Sequence, residues 1–331
     1  MGLAEPGDVS RLAKGKHAPH TRAMTCVLID CDPGLDDAVA LLAAFGAPEL
    51  DVLAITTVAG NVKGPQTAKN ARIIREAAGI DTRVPVCAGA PRPLLRDQVT
   101  AEDFHGSTGL GDLPFPPPRF ALSRSHAVNM IIRTCKAARN DPIKLIITGP
   151  MTNIALALTM APEIANGIDE IVLMGGADSE GGNITPFAEF NVFADPHAAA
   201  AVFGLGLPIR CLSLDVTHQV RATPTRLEAV GSVPTAQGKT AEQLLEASCK
   251  LEFSANGARH APLHDPSTII AVTRPDLFQG RRAHVEVVTE QGEQFGRTIP
   301  HFDEAGPVMW YQHADSDAVF TELARLLGGF A

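Results

Sequence analysis

Asp30, Asp32, Asp36 and Asp37 place four carboxylates within the eight residues Asp30-Cys31-Asp32-Pro33-Gly34-Leu35-Asp36-Asp37, directly after the apolar run Val27-Leu28-Ile29. Like charges this close raise one another's pKa unless a cation intervenes. Oxygen-only ligands suit a hard ion, Ca²⁺ or Mg²⁺, whereas zinc favours His or Cys. Helix capping by Asp36 and Asp37 with Asp30 in solvent is the bland alternative, but it explains one acid and not four.

Local geometry brings these oxygens together. Residues 26–29 read as a short buried strand, and a period of two sends Asp30 and Asp32 to the same side where it ends. Pro33-Gly34 makes a turn. Asp36 and Asp37 then fall where the apolar segment 38–45 begins its helix, a place where exposed N–H groups favour acids.

Strand-like runs at 27–29, 53–58, 84–86, 143–147, 170–174 and 209–214 alternate with amphipathic segments at 66–78, 127–138, 152–159 and 196–203. The alternation predicts an α/β fold, an open and mostly parallel central sheet flanked by helices. Ligands in such a sheet bind beyond the carboxyl ends of the strands. The segments just there are polar and glycine-rich: Ala59-Gly60-Asn61, Thr148-Gly149-Pro150 and Gly175-Gly176. Two further clusters carry chemistry. Asn183, Glu189 and Asn191 concentrate amides and a carboxylate suited to gripping hydroxyls, against the plainer reading of a solvated loop. His264-Asp265-Pro266 precedes an apolar stretch, where the plainer reading is a helix cap.

Composition narrows the possibilities. The 331 residues are 45% hydrophobic, enough for a large core, and the formal net charge of −9 argues against nucleic acid as a partner. Six scattered cysteines show no C-x-x-C pair, so reduced core thiols in a cytoplasmic protein are expected. Cys31, between two acids, is a poor nucleophile. No apolar stretch reaches membrane-spanning length. Residues 1–23 are polar and are expected to be a disordered extension, or the product of an upstream start with Met24 as the natural one.

Taken in order, the motifs at 30–38, Thr56-Thr57-Val58-Ala59-Gly60-Asn61, Thr148-Gly149-Pro150-Met151-Thr152-Asn153, Met174-Gly175-Gly176, Ala188-Glu189-Phe190-Asn191 and His264-Asp265-Pro266 resemble the nucleoside hydrolases of the inosine-uridine-preferring type. The resemblance runs from about Met24 to the C-terminus. It implies a single Rossmann-like nucleoside hydrolase domain over residues 24–331, acting as a homo-oligomer, a tetramer or dimer, on a small ribonucleoside. It implies cleavage by water to ribose and a free base, with Ca²⁺ held by Asp32, Asp37, Asp265 and the Thr148 carbonyl. By the same resemblance Asp32 is the general base toward a water in the ion's shell. Asp36 contacts the 2′ hydroxyl and Asn61 places water or sugar. Asn183, Glu189 and Asn191 bind the other ribose hydroxyls with Phe190 in the same motif, Met174 lies beneath the sugar, and Asp30 supports the ligands.

The chemistry agrees with those roles, since breaking a ribosyl C–N bond develops an oxocarbenium-like cation that carboxylates stabilise. His264, by position and pKa range, is the expected proton donor to the leaving base, and His105 matches a family loop near the base pocket. The family often carries tyrosines before His264. This chain has none there, its only Tyr being Tyr311, and Phe253 and His260 are the expected substitutes. A glycine in that segment would let it close over substrate. Two rivals remain open: a haloacid-dehalogenase-like Mg²⁺ phosphohydrolase, suggested by the strand followed by Asp-x-Asp but lacking the Lys or Arg that phosphate chemistry needs, and a catalytically silent ribose-binding protein.

Overall fold

Along β1 (Thr25–Cys31), Val27, Ile29 and Cys31 pack into one hydrophobic cluster and Leu28 into another, as the two faces of a doubly covered strand require. The computed structural model describes residues 24–330; the expectation for residues 1–23 lies outside the described residues. The other strands are β2 (Leu50–Thr57), β3 (Val86–Ala88), β4 (Ile143–Ile147), β5 (Ile168–Met174), β6 (Ile209–Leu212), β7 (Phe278–Val287), β8 (Thr298–Phe302) and β9 (Val308–Ala314).

They form one nine-stranded sheet in the order β3-β2-β1-β4-β5-β6-β9-β7-β8. Every pair from β3 to β9 is parallel, and β9-β7-β8 closes the sheet as an antiparallel edge. Helices Leu35–Gly46, Ala236–Asn256, Pro266–Thr273 and Ser316–Gly328 cover the Val27 face. Helices Ala127–Ala137, Thr152–Met160 and Pro196–Phe203 cover the Leu28 face. The predicted α/β class is the observed one.

β1 lies between β2 and β4, with Ile29 opposite both Ile55 and Ile146. The chain winds outward in one direction through β2 and β3 and in the other through β4, β5 and β6. The crevice at the carboxyl ends of β1 and β4 is therefore the topological switch point, where an open α/β sheet takes its ligand.

Of the six expected strands only 143–147 has the observed bounds; 53–58 is Leu50–Thr57, 170–174 begins at Ile168, and 209–214 ends at Leu212, before a short helix that starts at Leu214. The first strand continues through Asp30 and Cys31 rather than ending at residue 29. The third runs 86–88 rather than 84–86. The antiparallel strands β7, β8 and β9 were not anticipated: β7 carries Arg281, Arg282 and Glu286 where an apolar run was sought, and β8 and β9 place Pro300, His301, Gln312 and His313 among their apolar residues. All six cysteines are free thiols, four of them buried. Among the described residues no helix is long and apolar enough to cross a membrane.

Candidate active site

β1 delivers Asp32 to the switch point and Gly34 starts the helix Leu35–Gly46, so Asp36 and Asp37 occupy its first turn. Gly34 has no side chain to cap with; its N–H donates instead to Asp37 Oδ2 at 2.9 Å. Asn61, after β2, joins two of the acids. Its backbone N–H donates to Asp32 Oδ2 at 2.6 Å and its side-chain amide to Asp37 Oδ2 at 3.0 Å. Thr148, after β4, donates its hydroxyl to Asp37 Oδ1 at 2.7 Å. Asp265 stands at the N-terminus of the helix Pro266–Thr273, where its carboxylate caps nothing. It joins Asp36 and Asp37 in a buried trio whose oxygens lie within 4.8 Å of one another.

These acids fit a hard cation. All four, Asp32, Asp36, Asp37 and Asp265, are buried, and Asp32 Oδ1 and Asp36 Oδ1 have no hydrogen-bond partner. Such buried oxygens are costly without compensation. Burial, reinforced by the neighbouring acids, drives the Asp32 and Asp265 carboxyls well above the ordinary range. Burial raises Asp36 too, and lifts Asp37 to about 6. A divalent ion reverses this by favouring the charged form. The donor set is oxygen throughout, which matches Ca²⁺ or Mg²⁺. Asp32 borders the trio instead of completing it, and the expected ligand carbonyl of Thr148 accepts the Asn191 amide at 2.9 Å.

Asp30 sits one layer back. Thr56 Oγ1 and Asn153 Nδ2 donate to its Oδ1 at 2.5 and 2.8 Å, and burial raises its pKa to about 7. Asn153, which also donates to the Thr57 carbonyl and accepts the Ala90 N–H, ties β1, β2 and the helix Thr152–Met160 together. Its supporting role was missed because its three partners are distant in sequence.

The acids border a cavity of about 370 Å³. Asp36, Asn61, His105, Thr148, Met174, Asn183, Glu189, Phe190, Asn191, His264 and Asp265 all line it; Asp32 and Asp37 lie behind that wall. The sugar-gripping cluster is partly committed to its own backbone. Glu189 caps the short helix Phe190–Ala194, accepting N–H groups from Gly176, Asn191 and Val192 at 3.0, 2.8 and 3.1 Å. Burial nonetheless raises it to about 7. Asn183 Oδ1 accepts the Phe190 N–H at 2.9 Å, leaving its amide nitrogen free for other work.

His264 and His105 both line the cavity, and burial makes both rings hold a proton weakly. Burial, with positive charge on His218, His105 and Arg221, drives His264 well below its ordinary pKa, so proton donation no longer follows from the usual histidine range. Burial lowers His105 to about 4, and its Nδ1 accepts the Leu35 N–H at 3.1 Å.

Phe253 and His260 are not brought to the site. Phe253 is 59% exposed, and neither lines the cavity. Ser248, Glu252 and Asn256 do instead. They recur every four residues along the helix Ala236–Asn256 and so share its face, whereas Phe253 is turned about 100° from Glu252. Being polar, that face left no apolar stripe to find in the sequence. Gly257, at φ 77°, ends the helix. Phe104 and His218 also line the cavity and were not anticipated.

Buried acids at the switch point of an open α/β sheet, with a cavity over them, make a site able to hold a hard cation beside a small ligand. The family model for the inosine-uridine preferring nucleoside hydrolases matches residues 27–321. The pyrimidine-specific ribonucleoside hydrolase RihA of Photobacterium profundum is 40% identical over 274 residues, covering 82% of this chain and 87% of that protein. RihB of Escherichia coli, also named pyrimidine-specific, is 40% identical over 280 residues, 85% of this chain and 88% of its own. Among solved structures, a plant nucleoside hydrolase superposes with a TM-score of 0.84 at 31% identity, over 92% of this chain and 99% of that one. A purine-preferring ribonucleoside hydrolase from Gardnerella vaginalis gives 0.84 at 30% identity, over the same shares. The chain belongs to the inosine-uridine preferring nucleoside hydrolase family and is an enzyme, a ribonucleoside hydrolase. Family membership, and a cavity wall without Lys or Arg among the described residues, set the phosphohydrolase alternative aside.

Proposed function

We propose that this enzyme hydrolyses the N-glycosidic bond of ribonucleosides with Ca²⁺ as its cofactor, giving ribose and a free base. The observation that carries the reading is the cluster of four buried acids at the switch point, two with an unpartnered oxygen, of which Asp36 and Asp265 line the cavity. Asp32, Asp37, Asp265 and the Thr148 carbonyl would hold the ion, with Asp36 beside them toward the sugar. When bound, the cation orients the ribose diol and makes an adjacent water more acidic.

The chain's own groups then do the following. Asp32 Oδ1, with no partner of its own, takes the proton of the attacking water. Asn61 fixes Asp32 by its backbone N–H and holds Asp37 by its amide. Asn183, Glu189 and Asn191 contact the remaining hydroxyls, Met174 and Phe190 pack against the sugar, and the surrounding carboxylates stabilise the positive charge that develops on it. His105 and His264 stand where the nucleobase departs. Two relatives named pyrimidine-specific at 40% identity favour uridine or cytidine as the base partner to test first.

The test is a panel of ribonucleosides and matching 2′-deoxyribonucleosides, assayed for free base with Ca²⁺ and with chelator. We expect turnover of at least one ribonucleoside, sharp loss for its deoxy analogue, near-complete loss with chelator, and near abolition in Asp32→Ala. Equal turnover of deoxynucleosides would overturn the diol contact, and full activity under chelation would overturn the cation.

A further inference from the structure

Three imidazoles line the cavity, His105, His218 and His264, and their partners set them apart. His105 Nδ1 accepts the Leu35 N–H at 3.1 Å, so that nitrogen carries no proton. Asp36 Oδ1 lies 3.9 Å from it, outside hydrogen-bond reach. His264 Nδ1 meets a neutral partner, the Thr217 hydroxyl, at 2.9 Å. His218 Nδ1 meets a carboxylate, Glu180 Oε1, at 2.8 Å. A carboxylate at Nδ1 takes that nitrogen's hydrogen bond and orients the ring, so Nε2 is the nitrogen left to exchange a proton with a substrate.

Glu180 is itself held in place. Asp215, which follows β6, accepts the Glu180 N–H at 3.0 Å and the Ser179 hydroxyl at 2.7 Å through Oδ1. Its Oδ2 accepts the Asp178 N–H at 2.9 Å and the Ser213 hydroxyl at 3.0 Å. The loop that carries Glu180 is thus tied to the sheet by a buried acid. The His218 and His264 rings stand 5.6 Å apart between centroids, and both line the cavity that Asp36 and Asp265 border. A nucleoside whose sugar sits at those acids shares the cavity with both rings.

We infer that Glu180 and His218 form the proton-delivering dyad for the leaving nucleobase, with His218 the donor and Glu180 the residue that positions it. The inference rests on the nucleoside hydrolysis proposed above. As the C1′–N bond breaks, its electron pair passes to the base; His218 Nε2 gives the base its proton and becomes neutral. Water forms the new C1′–O bond and yields a proton to Asp32. Solvent then carries a proton off Asp32 and returns one to His218, so the cycle closes with nucleoside and water consumed and ribose and base formed.

The experiment uses the full-length enzyme with Ca²⁺ and two substrates, uridine and 4-nitrophenyl β-ribofuranoside, whose nitrophenolate leaves without a proton. The readout is the ratio of kcat for uridine to kcat for the nitrophenyl riboside. General-acid loss costs about 100-fold or more, so His218→Gln is expected to lower the ratio by about 100-fold. Glu180→Gln, a surface change that removes only charge, should lower it by about 10-fold, through kcat rather than KM. An unchanged ratio in both variants, or a collapse of the ratio in His264→Gln alone, overturns the dyad. If the wild type turns over the nitrophenyl riboside but no nucleoside in the panel, the dyad falls for want of a leaving base. If it turns over neither substrate, nucleoside hydrolysis itself is overturned.

Discussion

The Thr148 hydroxyl donates to Asp37 Oδ1 at 2.7 Å, joining residues 111 apart in sequence across the switch point between β1 and β4. One short bond thereby fixes the carboxylate of the first helical turn against the strand end that supplies the expected carbonyl ligand. Because the contact orients an acid without changing the number of ligands, it separates ion affinity from fold.

Thr148→Val keeps the shape and the backbone carbonyl but removes the donor. Groups that orient metal ligands are worth about 10- to 100-fold in affinity. We expect Ca²⁺ binding, followed by calorimetry, to weaken by at least 10-fold while the far-UV spectrum stays that of the wild type. Unchanged binding would show that the Thr148 hydroxyl does not position Asp37.

Gly149→Ala tests how closely the backbone embraces Asp32. A Cβ at residue 149 would stand 2.5 Å from Asp32 Oδ1 and 2.8 Å from its Cγ, nearer than real contacts allow. The carboxylate must swing away from the position in which the Asn61 N–H holds it. Activity should fall by 100-fold or more with the protein still folded, whereas Gly79→Ala, at a position with open space around it, should cost only modest backbone strain and no activity.

The contrast between these glycines also marks what the sequence made legible. The acidic run from Asp30 to Asp37 could be read because strand end, turn and helix start are neighbours in the chain, and local rules of period and capping fix their geometry. Asp265 and Asn191 stood out as members of polar clusters, but their meeting with the acids came only from the family's pattern, since no local rule says that either meets Asp37 or Thr148. The roles of residues whose partners are distant, Asn153 within a quoted motif and Asp215 outside any, could not be read. The edge strands were hidden for a related reason. In β7 residues 279–282 are exposed, so the strand lacks the apolar run that betrays β4 or β5, and its place is set by pairing with β9. The face of the helix Ala236–Asn256 that lines the cavity is polar, and amphipathic analysis looks for the opposite.

The buried acids give the ion-free enzyme an inverted pH dependence. Burial holds Asp37 at about 6 and Asp30 and Glu189 at about 7, all above their ordinary values. A carboxyl that binds its proton more tightly when folded contributes stability below its unfolded pKa, and that contribution is lost as pH rises through the folded pKa. The melting temperature of chelated enzyme should therefore fall as pH rises from about 5 to about 8. Ca²⁺ should raise it, and more at pH 8 than at pH 5, because binding must displace protons at the lower pH. Differential scanning calorimetry with and without chelator decides the matter; an equal Ca²⁺ shift at both pH values would mean that these acids are not the ion's seat.

Asp215 should show the opposite sign. Burial pushes its carboxyl up, but donors from Ser179, Glu180, Asp178 and Ser213 outweigh burial and hold it below the ordinary carboxylate value. Its stabilisation is therefore present above the unfolded pKa and lost as pH falls through the folded one. Asp215→Ala leaves those donors unpaired, and a set of hydrogen bonds to a charged acceptor is worth about 2–4 kcal/mol. Urea denaturation at pH 7 should show a loss of that order, and the gap to the wild type should narrow as pH falls below the ordinary carboxylate range and the wild-type carboxyl takes up its proton. The loop it anchors also presents Glu180 to His218, so the same variant should lower the uridine-to-nitrophenyl riboside ratio. A stability loss with no change in that ratio would show that the loop holds its position without Asp215.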